Sequence, residues 1–270
     1  MVFLKVSQGK EVGKGEASAA SIAQEAFEFI YQMSPMEGAR PGERYLEFAH
    51  FEPLAAAVHL NLEDLSFYLL AFLADESPKI NYKIPEKRFV ALMTALAGAL
   101  PRSAGVPSRE NGFAPLFAAA HTAVIDLNAR LRASEELRVK FYHFLYNWCL
   151  KTNKATDRVD IAKELWSFFF SASPLSFTKE EAKLKFTAYV CFPRINQWLN
   201  FITIMSEKAK NTNQNGSALD QMGVPLDTWS QLIPFAKMES YNEYDDEDSW
   251  PVAMDDFVEY VQQLKKHKEA

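Results

Sequence analysis

From Ser18 onward the hydrophobic positions of this chain recur every three or four residues, and no stretch alternates long enough to predict a strand. Residues 18–36 set Ile22, Phe27, Ile30 and Tyr31 on one side of a helix that the breakers Pro35, Gly38, Pro41 and Gly42 end. Three more helical patterns follow at 45–58, 62–75 and 85–99, joined by links as short as those of helix pairs. After a Pro/Gly/Ser/Arg-rich loop at 101–115, residues 116–131 return to helix. Residues 137–150, LRVKFYHFLYNWCL, crowd aromatic rings onto one short helix; 160–170 carries Trp166, and 195–208 carries Trp198 and Phe201. The last folded stretch, 226–264, predicts two helices around an acidic, aromatic loop. Trp229, Leu232, Ile233 and Phe235 stripe the first, while Ser249-Trp250-Pro251 opens a second whose buried face is Met254, Phe257, Val258, Val261 and Leu264. The fold class this predicts is all-α.

Polar composition marks what lies outside the helices. Residues 1–17 are Gly-, Lys-, Glu- and Ser-rich without periodicity and are expected to form a flexible tail. With 48% hydrophobic residues and 21 phenylalanines, the rest can build a real core. The formal net charge of −6 excludes nucleic acid and anionic membrane as main partners, because both need a basic footprint; a basic protein surface is the better complement. No run approaches the ~20 apolar residues of a membrane helix. The two cysteines, Cys149 and Cys191, lie in apolar-rich stretches and are expected to be buried thiols of a reducing compartment, cytoplasmic or nuclear.

Candidate chemistry is sparse. The five histidines lack ligand spacing, so no metal or other cofactor is implied. Carboxylates crowd residues 244–256 between two helices, which raises a calcium-dependent, EF-hand-like interaction module as an alternative. The ligand pattern fails there: counted from Asp245, Trp250 takes the place of the obligatory glycine and Ser249 that of an acid. Asp227 and Asp255 are not accompanied by a nucleophile or convergent histidine, so the residues by themselves read as a helix cap and a solvated helix position on the rim of an apolar face. Phe48, Phe51, Phe67, Leu70, Ala71, Trp148, Leu165 and Phe168 read by themselves as core. Trp250, beside Pro251, is expected to anchor the acidic loop on the preceding helix near Trp229.

Asp227-Thr228-Trp229, the apolar run ending in Phe235, Tyr244-Asp245, Ser249-Trp250-Pro251 and Asp255-Asp256-Phe257-Val258-Glu259 resemble the C-terminal half of the defective-in-cullin-neddylation family and its potentiating-neddylation (PONY) domain. Phe48 and Phe51, the 67–71 run, and Phe89 through Leu96 follow the order of that family's first helix pair, and 137–150 is similar to its central aromatic helix. The resemblance covers about residues 26–263, interrupted by insertions at about 101–115, 171–193 and 211–220. It implies two lobes of paired helices that resemble EF-hands without bound calcium, at about 18–135 and 136–268. It also implies a non-catalytic accessory ligase: a scaffold that promotes cullin neddylation by binding a cullin winged-helix domain and the conjugating enzyme together, with the RING subunit engaged indirectly. Asp227, Ser249 and Asp255 then correspond to the cullin-docking patch, where serine replaces the family's usual alanine. The aromatic set from Phe48 to Phe168 corresponds to helices lining a pocket for the conjugating enzyme's acetylated N-terminal methionine.

Overall fold

In a computed structural model, the described residues are 18–34, 44–100, 112–151, 153, 155–211, 224–238, 241, 244 and 249–269. They are predominantly helical, and strand is confined to two-residue pairings. The chain forms two compact units, one of residues 1–59 and 85–121, the other of 60–84 and 122–270. The expected tail at 1–17, the core of the 101–115 insertion and residues 212–220 lie outside the described residues.

The first unit is built on α1 (Ala19–Tyr31), α2 (Phe48–Val58) and α4 (Glu86–Ala99). Ser18 caps α1 by accepting the Ser21 N–H at 3.2 Å, and the predicted stripe is buried: Ile22, Phe27, Ile30 and Tyr31. Phe27 packs on Phe89 of α4 at 5.9 Å between ring centroids. Residues 45–46 are extended rather than helical, so α2 begins only at Phe48. Arg44, just before them, binds Glu28 at 2.6 Å and Glu86 at 2.5 Å while its guanidinium lies 5.2 Å from the Phe27 ring. One cation thereby ties the approach to α2 onto both α1 and α4, and its two carboxylate partners raise its pKa further.

The second unit begins with α3 (Ser66–Ala74). The 62–75 pattern loses its first turn because the Asn61 and Asp64 side chains accept the N–H groups of Glu63 and Ser66, at 2.9 and 2.7 Å. Such side chains offer the backbone a turn in place of a helix. The division between the units passes through α5 (Ala114–Ala133). Then come α6 (Glu135–Leu145), a π turn at Tyr146–Leu150, α7 (Ala155–Phe169), strand β1 (Phe170–Ser171), α8 (Lys179–Leu184), strand β2 (Val190–Cys191), α9 (Ile195–Asn211), α10 (Leu226–Ala236) and α11 (Val252–Glu269). β1 and β2 pair in parallel, Phe170 with Val190 and Ser171 with Cys191.

Trp229 of α10 stands at the centre of this unit's core. It stacks on Tyr142 at 4.3 Å and on Trp166 at 5.5 Å, and its indole N–H donates to the Tyr142 carbonyl at 2.9 Å. Trp166 in turn donates to the Tyr142 hydroxyl at 2.8 Å, so both indoles are buried with their polar atoms satisfied. The insertion at 171–193 is a folded element. A capping box of Thr178 and Glu181 starts α8, and the end of α5 clasps it. Arg132 donates to the carbonyls of Ala182, Lys185, Thr187 and Ala188, and Asn128 to those of Ala182, Lys183 and Lys185. A cation and an amide thus satisfy the orphan carbonyls at the end of a short helix. Of the thiols, Cys149 is buried and its pKa is pushed up by burial, whereas Cys191 on β2 is half-exposed, contrary to the expectation for both.

Candidate functional site

The first turns of α10 and α11 put Asp227 and Asp255 where solvent reaches them, and Ser249 lies exposed on the approach to α11. Pro225 precedes α10 with φ −64° and ψ 153°, which sets the extended entry the first helical residue needs. The helical period then turns Leu226 and Asp227 outward and Thr228 and Trp229 into the core. Asp227 is exposed in the first turn, where the free N–H groups of the helix favour a negative charge.

At α11 the same logic gives a partly shielded acid. Pro251 is buried before the first turn, Val252 is 65% exposed, Ala253 and Met254 face the core, and Asp255 is half-buried on the rim. The Tyr244 hydroxyl donates to Asp255 Oδ1. Tyr244 stacks on Trp250 at 6.1 Å, and both rings meet Phe235 near the end of α10 edge-on, at 6.2 and 5.7 Å. Trp250 is therefore half-buried against Phe235 and Tyr244, not against Trp229, which is fully occupied deeper in the core. Ser249, next to it, is exposed. Asp256, one position past Asp255, is held above its ordinary carboxyl range chiefly by burial, with the Glu259 and Asp255 charges adding to it.

The role of Tyr244 was not foreseen. Tyr244 lies before the helix that carries Asp255, which starts only at Val252, so no single element's period relates the two residues. The acids at 245–248, on which the calcium-dependent alternative rests, lie outside the described residues. Among the described residues no three His, Cys, Asp or Glu side chains are grouped to hold a metal, and no helix is long and apolar enough to cross a membrane.

The aromatic set divides between the two units. Phe48 and Phe51 belong to the first; Phe48 is 66% exposed, Phe51 is buried, and their rings lie 5.5 Å apart. In the second unit Phe67, Leu70, Ala71, Trp148 and Leu165 are each at most 2% exposed, and Phe168 is half-buried. Trp148 gathers Phe67 at 6.5 Å, Tyr68 and Tyr82 at 5.7 and 5.6 Å, and Phe144 at 5.6 Å. Trp148 sits in the π turn that follows α6.

A family model described as "Cullin binding" matches residues 119–260, more than half of the chain and a span that contains Asp227, Ser249 and Asp255. Among curated proteins, the chain is 33% identical over 116 residues to "Defective in cullin neddylation protein 1" of Cryptococcus neoformans, a match covering 40% of this chain and 35% of that protein. It is 25% identical over 130 residues to "DCN1-like protein 3" of Drosophila melanogaster, covering 48% and 30%. It is 25% identical over 123 residues to "Defective in cullin neddylation protein AAR3" of Arabidopsis thaliana, covering 45% and 31%. The matched segments span about a third of the length of each relative.

Proposed function

We propose, from the premise that this chain belongs to the Cullin binding family, that it is a non-catalytic accessory factor of cullin neddylation. It docks on a basic cullin winged-helix domain through Asp227, Ser249 and Asp255, and it holds the conjugating enzyme close by. The observation that carries this reading is the pair of acids at the starts of α10 and α11, inside the matched segment and on the surface of a negatively charged chain. Two carboxylates on helix first turns are anchored by the core beneath them, so their spacing survives without a partner. Basic groups of the cullin would meet a preformed acidic surface, which speeds encounter and fixes orientation. Ser249 is small enough to leave that surface open.

The catalytic contribution is proximity. A scaffold that holds the acceptor lysine and the charged conjugating enzyme together, with the RING subunit guiding the latter, turns an encounter between two proteins into a local rearrangement. The chain itself supplies no reacting group in this scheme. The conjugating enzyme is captured by its acetylated N-terminal methionine. In the second unit the receiving set of Phe67, Leu70, Ala71, Trp148, Leu165 and Phe168 contains no acid to neutralise a free ammonium group, and burying that charge unpaired would cost several kcal/mol. Because most of these side chains are closed to solvent, the methionine enters only as they part, and its flexible thioether suits an irregular aromatic cavity.

Two titrations test the two halves separately. Asp227→Arg with Asp255→Arg should remove binding of the isolated cullin winged-helix domain, and unchanged affinity would refute the docking assignment. Acetylated N-terminal peptide of the conjugating enzyme should bind at least ~10-fold tighter than the free-amine form, the ratio that about 1.4 kcal/mol provides. Equal affinity would mean that the aromatic set is core alone.

A further inference from the structure

In the second unit, a cavity of about 700 Å³ lies where the turn from β2 into α9 meets the end of α10. Its walls include Phe192, Arg194, Gln197, Lys237, Met238 and Tyr241. A smaller cavity of about 240 Å³ shares Cys191 and Lys237 with it and adds Arg138 from α6. A volume of this size holds a few side chains of a bound segment.

The charge of these walls runs against that of the chain. Arg194 lies 4.7 Å over the Tyr241 ring and donates to Gln197 Oε1 at 3.5 Å; among the described residues it meets no carboxylate. Lys237 reaches Glu135 at 2.5 Å, but both are about half-exposed or more, and such a pair contributes little and exchanges readily. Arg138 donates to the carbonyls of Leu131 and Arg132, which fixes the guanidinium without neutralising it. Among the described residues, Arg194 and Lys237 line the larger cavity and Arg138, Lys237 and the single carboxylate of Glu135 the smaller, in a protein whose net charge is −6. α9 opens beside Arg194 with no acid in its first turn, so its N-terminal N–H groups add to the positive field. Between the cations the surface is apolar, from Pro193, Ala236, Met238 and the Tyr241 ring.

We propose that this groove is a second docking site, for an acidic peptide segment of a partner protein in which carboxylates alternate with apolar side chains. Carboxylates would pair with Arg194 and Lys237, the planar guanidinium being held by its ring stack for a two-pronged contact. The apolar side chains between them would lie along Met238 and Tyr241. A nucleic acid fits less well, because it asks for a continuous basic stripe and offers no aliphatic group to the apolar wall. Its lining residues include neither Asp227 nor Asp255, and it selects a partner of opposite charge.

The test uses the full chain and a fluorescein-labelled nonapeptide of Glu, Leu and Phe, compared with the same peptide carrying Gln for every Glu. The Glu peptide should bind at least ~10-fold tighter, and Arg194→Glu and Lys237→Glu should each weaken it by about that factor. Lys237 is exposed, so its reversal leaves the fold intact, as helical circular dichroism would verify. Cys191 supplies a reporter inside the groove: bound peptide should slow its reaction with a maleimide, while buried Cys149 stays inert. The proposal fails if neither peptide binds, if Glu and Gln peptides bind alike, or if both reversals leave binding unchanged. Binding that leaves the Cys191 rate unaltered would overturn it too, as would tighter binding of a labelled oligothymidylate than of the Glu peptide.

Discussion

The starts of α10 and α11 and the aromatic set on α3, the π turn and α7 both belong to the second unit, and both were expected to bind a partner. Asp227 and Ser249 stand in solvent and Asp255 at its edge, whereas Phe67, Leu70, Ala71, Trp148 and Leu165 are sealed. An acid at a helix start announces its own location, because an unpaired buried carboxylate is too costly to keep. An apolar side chain announces nothing of the kind, since the same residue serves a core or the wall of a pocket. The acids proposed for docking are thus accessible before a partner arrives, while any apolar receiving site must first be opened against packing.

The largest effect should come from Ala71→Arg, which forces a guanidinium into a site 2% exposed. It should destabilise the protein by ~3–5 kcal/mol, as unpaired buried charges do, and thermal unfolding followed by circular dichroism would measure it. An unchanged melting temperature with loss of acetyl-peptide binding would instead mean that this face opens freely, and the contrast between the two regions would vanish. Reversing Asp227 and Asp255 to arginine should do the opposite: binding to the cullin domain should fall by ~3 kcal/mol or more while melting shifts little. A large melting shift there would show that these acids belong to the fold.

Trp250→Ala should be milder than truncation of a sealed tryptophan such as Trp229, for which ~3–5 kcal/mol is expected. Its indole is half-buried, held by Phe235 and Tyr244, so ~1–2 kcal/mol in denaturant unfolding is the expected loss. Tyr244→Phe removes the hydroxyl that holds Asp255 and should weaken cullin binding by ~1 kcal/mol with the fold unchanged; equal affinity would mean that Asp255 needs no support.

The smallest effect concerns Asp256. Its folded pKa is raised, so the folded state binds its proton more tightly than the unfolded chain does. Stability should therefore fall as pH rises from the ordinary carboxylate range through that raised value. Asp256→Asn should raise the melting temperature modestly at neutral pH, and the gain should disappear below pH ~4, where the unfolded carboxyl is protonated too. A gain that persists in acid would assign the effect to packing instead of charge.

The helices were largely legible, because a buried stripe at helical spacing is a local property: α1, α9, α10 and α11 fall where Phe27, Trp198, Trp229 and Phe257 predict them. The acids proposed for docking are picked out by the family resemblance, through rare residues in a fixed order, and not by their own spacing. Three matters were decided by tertiary structure. Which apolar residues are closed off depends on every helix packed around Trp148, and no single stripe encodes that. The tie from Tyr244 to Asp255 joins a residue outside the last helix to one inside it, so no helical or strand period encodes it. The cationic groove draws Arg194 and Lys237 from two segments far apart in the chain, with Arg138 in the smaller cavity beside Lys237, and only folding brings them together. Sequence by itself determines what each helix can bury; which surfaces are left over is settled when the helices meet.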